Sequence, residues 1–444
     1  VAITWRTVAL TALGAVWVLI WPVALTVVAW TALVVVLVVL DVALAASPRA
    51  VEITRAVPAS VRLGEPTTST LTVRNLSRRR LRAVVRDAWP PSAIADDRPP
   101  GSPLPRRGVH TPRLTLHAAP GEGARGRIPL LPSRRGDLGV PFVAIRALGP
   151  MGLAGRQAKI PMHGRLRVLP AFVSRRHLPS RLARLREMDG RASVQVRSSG
   201  TEFDSLREYV VGDDVRSIDW RATARRNDVV VRTWRPERDR RVMIVVDTGR
   251  TSATRVLDGT RLEASIEAAL LLGVLADRAG DRVEVIAYDR AVRARVAGAS
   301  RSGLLPTMAD ALAPIEPALL ETDWAGVAAE VRARMSQRAL VVLLTTIDPA
   351  TVEAGLLDVV AQLAQRHQVV VAAVADPELE RMRTTRTNIM EAYEAAAAER
   401  TALGHAAVGM RLRRRGVEVV EAMPDNLPPA LADTYLALKA AGRL

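Results

Sequence analysis

From Thr7 to Leu40 the chain carries no charged residue, and Trp21-Pro22 falls near the middle of that run. One helical crossing of a bilayer takes about 20 residues, so the run is too long for a single helix and suits two. Proline removes a backbone donor and breaks helices, which puts a tight turn at Trp21-Pro22. The expectation is a transmembrane helical hairpin within residues 1–46, with arms near 5–21 and 23–45 interrupted late by Asp41. Trp5, Trp17, Trp21 and Trp30 fall mostly at positions where interfacial tryptophans sit. Arg6 precedes the arms, Arg49 and Arg55 follow them, and the turn is uncharged. The bias of basic residues to the inner side then predicts a two-pass protein of the cytoplasmic (inner) membrane, with its soluble domains in the cytoplasm. A signal peptide would have a shorter apolar core, of about 7–15 residues. A single tilted span would export the rest of the chain.

Charge divides the remainder of the chain. Residues 47–241 hold 39 basic and 18 acidic residues, whereas 242–444 hold 23 and 26. A basic region beside a near-neutral one indicates separate domains, and the basic one suits a position near anionic membrane lipid. The net charge of +18 does not by itself mean nucleic-acid binding, because the arginine bias has a compositional explanation and no nucleic-acid-binding motif is present. With no cysteine, disulfides, thiolate metal ligands and thiol catalysis are excluded.

Residues 47–170 read as β. Segments such as VEITRAV, STLTVRNLS, LRAVVRDAW and VPFVAIRAL alternate apolar and polar residues between Pro, Gly and Asp breaks, the pattern of a sandwich-like domain. A Pro-rich loop runs from Pro90 to Pro105, and RLRVLP at 165–170 reads as an exit strand. Residues 171–239 read as a basic linker followed by an acid- and arginine-rich segment. Residues 240–444 alternate continuous Val/Leu/Ile strands with helices, which predicts a parallel, doubly wound α/β sheet. Such sheets bind ligands beyond the carboxyl ends of their strands. That places Asp247, Asp289, Thr345, Thr346, Asp348 and Asp376 along one edge.

The first of those edge loops, Asp247-Thr248-Gly249-Arg250-Thr251, is similar to the Asp-x-Ser-x-Ser loop of the metal-ion-dependent adhesion site in von Willebrand factor A domains. Gly249 replaces the first serine, and Thr251 keeps the second hydroxyl. Thr322 matches the second loop. Thr346 falls where the third-loop Asp belongs, with Asp348 two residues on. The resemblance implies a degenerate Mg²⁺ site built from Asp247, Thr251, Thr322 and Asp348; the alternative is that these residues cap helices and close turns.

Upstream, EFDSLREYVVGDDVRSIDW with VVVRTWRPERDRRVMIVVDTG resembles the bacterial family called domain of unknown function fifty-eight. The N-terminal hairpin, RRGDLGVPFVAIRALGPMGLAGR and the ending YLALKAAGRL fit it as well. Gly149 stands where the family's Asp-Pro-x-Gly-Leu turn has its aspartate. The resemblance implies a membrane-anchored, von Willebrand A-like protein acting as adaptor or cofactor of a MoxR-type AAA+ ATPase, and the residues themselves favour a non-enzymatic role. The residues leave two readings of the signature open. Tyr209, Asp213, Asp214, Arg216, Asp219 and Trp220 form either a partner-docking face or an internal polar clamp. A structural cell-envelope protein with a vestigial A-like domain is the alternative function. Catalytic signals are weak: the six histidines lack metal spacing, Ser198-Ser199 lacks a nucleophile elbow, and there is no phosphate-binding loop.

Overall fold

The computed structural model describes residues 1–94, 111–195, 202–211, 213, 215–226, 228–235, 240–298, 303–353 and 355–444. Most of the Pro90–Pro105 loop, Ser198-Ser199 and Asp214 lie outside these residues. The chain divides into two compact units, Val1–Ala171 and Phe172–Leu444.

The first unit opens with a short strand, β1 (Ala2–Ile3), then α1 (Trp5–Ile20) and α2 (Ala24–Leu44). Trp21–Val23 separates the two helices, as the proline predicts. The Trp30 indole lies against Gly14 and donates to the Leu10 carbonyl at 3.3 Å. Leucines and valines are exposed along both helices, as are Trp5 and Trp17 of α1. By length and composition α2 is apolar enough to cross a membrane, while α1, at 16 residues, is shorter than a full span. Asp41, which interrupts the apolar run in the sequence, is fully buried. Its carboxylate accepts the N–H groups of Met151 (2.8 Å), Leu153 (2.7 Å) and Ala154 (2.9 Å).

Nine strands complete the unit with β1 counted: β2 (Val51–Ala56), β3 (Ser60–Arg62), β4 (Thr67–Asn75), β5 (Leu81–Asp87), β6 (Arg113–Ala118), β7 (Gly123–Leu130), β8 (Gly136–Leu148) and β9 (Ala154–Leu169). They form a sheet in the order β1-β9-β8-β5-β6, with β3 also on β9, and a second sheet β2-β4-β7. Alternation sends Leu71, Val73, Ile128 and Leu130 inward from the small sheet. From the large one come Leu81, Val85, Ile145 and Leu166, and all join one apolar cluster. Each such side chain contributes about 1.5–3 kcal/mol on burial. Two sheets therefore share one apolar core. The exit strand, however, begins at Ala154 rather than 165, because the polar alternation of 154–164 pairs with β8 along its whole length.

The second unit begins earlier than the linker reading allows. Its first helix, α3 (Leu178–Gln195), is preceded by Phe172, and both Phe172 and Leu185 are buried in the core of the α/β domain. Leu178 and Leu182 pack on the same core, so this basic stretch hides an amphipathic face. Next come β10 (Glu202–Glu208), α4 (Trp220–Arg226) and β11 (Val230–Arg235), with β10 and β11 paired antiparallel.

The remaining elements are β12 (Arg241–Asp247), the two-residue strands β13 (Arg255–Val256) and β14 (Gly259–Thr260), α5 (Arg261–Arg278), β15 (Arg282–Tyr288), β16 (Val292–Ala297), α6 (Leu304–Leu312), α7 (Trp324–Arg334), β17 (Leu340–Leu344), α8 (Pro349–Glu353), α9 (Leu356–Ala364), β18 (Gln368–Val374), α10 (Pro377–Thr384), α11 (Ile389–Arg414), β19 (Glu418–Ala422) and α12 (Leu427–Ala440). The sheet order is β16-β15-β12-β17-β18-β19. All neighbours are parallel except β15 and β16. Val242, Ile244 and Val246 point to a core shared with α5, α6 and α12; Met243 and Val245 point to one shared with α7, α9 and α11. Helices thus cover both faces. The antiparallel edge strand β16 and the short helices α6 and α10 were not expected. α8 and α9 are separate helices, since Gly355 takes a left-handed φ of 100° that a helix interior does not hold.

Candidate functional site

The site is set by the strand order. The chain leaves β12 for β15 on one side and later returns to β17 on the other, so the order reverses between β12 and β17. That crevice, at the carboxyl ends of the strands, is where open α/β sheets place ligands. Register puts Val246 beside Leu344, and the next residues are Asp247 and Thr345.

Asp247 is 2% exposed, and hydroxyls from three loops converge on its carboxylate. Thr322 donates to Oδ1 at 2.5 Å, Thr345 donates to Oδ2 at 2.6 Å, and Thr251 adds a third hydroxyl. The Gly249 N–H donates to Oδ1 at 2.8 Å, and the Ser252 hydroxyl donates to the Asp247 carbonyl at 2.6 Å. Burial pushes the Asp247 carboxyl above its ordinary value, against the downward pull of these bonds.

Three of the four expected ion-site residues have clear placements relative to this carboxylate: Asp247 is at the centre, and Thr251 and Thr322 touch it. Asp348 has a different role. Its Oδ1 accepts from the Thr351 N–H and hydroxyl, both at 2.9 Å, at the start of α8, and Thr346 bonds to Thr351 at 2.8 Å. Burial raises the Asp348 carboxyl, but the bonds from Thr351 and Thr346 outweigh it and hold the group below its usual range. The third-loop group on Asp247 is instead Thr345, one residue before the position the loop comparison picks out. Its signal in the sequence was only that it follows a buried strand directly. Thr322 serves Asp247, leaving Asp323 as the α7 cap that accepts from Gly326 N–H at 3.0 Å. Asp376 caps α10, accepting from Glu378 N–H at 3.0 Å.

A second buried acid lies beside the first. Asp289, 1% exposed, accepts from Arg293 Nε at 2.7 Å, from the Arg290 N–H at 2.5 Å and from the Thr248 hydroxyl at 3.3 Å. Burial alone would raise its carboxyl; Arg293 and the backbone donors of 290 and 291 outweigh that and hold it below the ordinary value.

Among the described residues no group of three or more His, Asp or Glu side chains is placed to hold a metal ion. Asp247 supplies one carboxylate with three hydroxyls around it. Mg²⁺ accepts such a set, one carboxylate plus neutral oxygens and waters. With a single formal negative charge, the set would hold such an ion only weakly.

The signature segment spends its acids locally. Asp213 accepts from Arg207 at 2.5 Å and from the Val210 N–H at 2.9 Å. Asp219 caps α4, accepting from the Arg221 and Ala222 N–H groups at 3.0 Å, and pairs with Arg232 at 2.9 Å. The Tyr209 N–H donates to the Val229 carbonyl at 2.8 Å, which fastens the β10–β11 pair, and Arg216 is exposed. Trp220 is 69% exposed, with Val210, Val211 and Val215 also exposed. The valines carried no polar signal and were not singled out in the sequence.

The sequence model of the family described as "Protein of unknown function DUF58" matches residues 205–406. Those residues belong to that family. The match takes in β11, the Asp247 cluster and most of the α/β sheet. No curated protein matches the chain. Among solved structures, the chain is similar to the ASH/PapD-like domain of human CEP192, at 17% identity over 28% of this chain and 87% of that one, TM-score 0.19. It is also similar to a chain in the human seminal-plasma complex of zinc 2-glycoprotein with prolactin inducible protein, at 12% identity over 26% and 92%, TM-score 0.19. A third is the CARDB domain of the Pyrococcus furiosus PF1109 protein, solved with di-metal ions, at 12% identity over 27% and 87%, TM-score 0.19. Likenesses this slight carry no argument about this chain.

Proposed function

We propose that the protein is a membrane-anchored interaction module: a two-pass hairpin holds it in the cytoplasmic membrane, and its von Willebrand A-like α/β domain acts in the cytoplasm as adaptor or cofactor of a MoxR-type AAA+ ATPase. The observation that carries this reading is the Asp247 cluster, in which three loops deliver hydroxyls to one buried carboxylate at the sheet's switch point. On this proposal one carboxylate ringed by hydroxyls binds through a shared ion, with oxygen ligands of the kind Mg²⁺ takes. In this reading Asp247, Thr251, Thr322 and Thr345 hold Mg²⁺ weakly, and a carboxylate of the partner completes the shell. Exposed Trp220, with Val210, Val211 and Val215, provides apolar contact of the kind enriched at interface hot spots. The acids of the signature keep that ribbon in shape.

The hairpin part rests on α2, on the absence of charge from Thr7 to Leu40, and on arginines at both outer ends. At 1.5 Å per residue α1 covers about 24 Å, short of a hydrocarbon core of about 30 Å; local thinning and the tryptophans at the turn accommodate the difference.

The test is calorimetric titration of the full chain in detergent micelles with a MoxR-type AAA+ ATPase, with nucleotide state fixed, with and without Mg²⁺. Magnesium-dependent binding that Asp247→Ala abolishes supports the adaptor and the ion together. Binding indifferent to metal and to Asp247→Ala retires the ion. Absence of binding in every nucleotide state gives preference to a structural envelope role.

A further inference from the structure

Where α1 begins and α2 ends, the β-domain opens a cavity of about 600 Å³. Its lining includes Trp5, Arg6, Arg80, Arg82, Thr115 and His117, and no Asp or Glu lines it. Its place at the end of the apolar helices is fixed twice. Thr4, just before α1, donates its hydroxyl to Gly152 and Leu153 carbonyls at 2.7 and 2.9 Å. Arg79, next to Arg80 in the β4–β5 turn, donates to the Ala43 carbonyl at the end of α2.

The three guanidinium groups are hardly engaged. Arg6 makes one long bond, to the Met151 carbonyl at 3.4 Å, and Arg82 one to the Pro150 carbonyl at 3.0 Å. Arg80 makes none to the described residues, and none of the three meets a carboxylate. Arg55, Arg165 and Arg167 of the same unit do meet carboxylates, Arg55 that of Asp87 at 2.6 Å and the other two that of Asp137. Three like charges held around one open cavity repel one another unless an anion enters, and guanidinium forks match phosphate oxygens two at a time. Trp5, 75% exposed at the rim, is the residue type that sits among headgroups.

We propose that this cavity binds a phosphate-bearing anion through Arg6, Arg80 and Arg82, the anion being the headgroup of an acidic phospholipid or free phosphate. The lipid source rests on the membrane-spanning reading of the helices; the anion chemistry does not. A bound headgroup fixes the depth of the β-domain at the bilayer surface and ties the α1–α2 pair to its sheet.

The experiment uses the full chain in detergent micelles doped with phosphatidylglycerol or phosphatidylcholine. Retained lipid is counted by native mass spectrometry, and inorganic phosphate is titrated separately by calorimetry. The wild type is expected to retain phosphatidylglycerol at least tenfold over phosphatidylcholine. The variant R6Q/R80Q/R82Q is expected to lose that preference, and the charge-matched R74Q/R125Q/R127Q on the other sheet to keep it. Arg80→Gln alone, which breaks no side-chain bond to the described residues, is expected to cost threefold or more. Phosphate binding lost in the same variants, without any lipid preference, assigns the cavity to free phosphate. Equal lipid retention and equal phosphate binding in wild type and variants overturns the site. Flotation with phosphatidylcholine vesicles after carbonate washing separates the two readings: a chain that does not float fails as a membrane span, while the phosphate titration still decides the cavity.

Discussion

A Cβ at Gly249 would overlap the Thr322 hydroxyl and come within 3.0 Å of the Leu320 carbonyl oxygen. The loop after β12 can therefore have no side chain at 249 while Thr322 holds Asp247 at 2.5 Å. Gly249→Ala is expected to destabilise the second unit by about 1–3 kcal/mol, since either the backbone of 320 shifts or Thr322 rotates off the carboxylate. Denaturant unfolding followed by the emission of the buried Trp324 measures this. An unchanged midpoint would show that the loops adjust freely.

Thr345→Val keeps the shape of the side chain and removes its donor from Asp247. The loss is expected to be about 1–3 kcal/mol at neutral pH. It shrinks in acid, because the lost bond favours the charged carboxylate, and its removal drives the Asp247 carboxyl further above its ordinary value. Unfolding curves of wild type and variant at several pH values test the sign. A difference that grows on acidification contradicts it.

Arg293 is half exposed while its partner Asp289 is buried. Arg293→Ala is expected to destabilise the second unit, by less than removing one partner from a fully buried pair would. The folded-state carboxyl of Asp289 lies below its unfolded value of about 3.9. Its contribution is complete above that pH and disappears as pH falls through the folded value. The gap between wild type and variant should therefore be constant near neutrality and close below about pH 4. Urea midpoints from pH 3 to 7 check it.

Asp41, itself buried, accepts three backbone N–H groups. Asp41→Ala is expected to destabilise the first unit by about 3 kcal/mol or more, since bonds to a charged group are worth about 1.5–3 kcal/mol each and the Ala154 donor left behind is buried. Thermal unfolding of the full chain in micelles should show a lower first transition and an unchanged second one. Equal transitions would mean that water replaces the carboxylate without loss.

Local pattern reached far in this chain. The break at Trp21-Pro22, the alternation of strands such as β4 and β5, and the continuous Val/Leu runs of β12, β17 and β18 each follow from short-range periodicity. The DUF58 assignment over 205–406 also came from local motifs. Where the reading fell short, polar residues dominated the segment. The apolar stripe of α3 was hidden among arginines, β9 was too polar along 154–164 to read as a strand, and β16 pairs through its backbone with little apolar signal. Thr345 and not Asp348 reaches Asp247, because the spacing of a loop motif does not fix which of its side chains faces the carboxylate.

The sequence by itself determined the two apolar helices, the β and α/β halves and Asp247 as the residue to examine, because hydrophobic period and proline act over a few residues. Only the tertiary structure decided which hydroxyls reach Asp247, that Asp41 is a buried acceptor, and that Arg6, Arg80 and Arg82 share one cavity. Those groups are 75 to 112 residues apart in the pairs that matter most. Sheet order and loop closure bring them within 3 Å, and no short-range pattern encodes that approach.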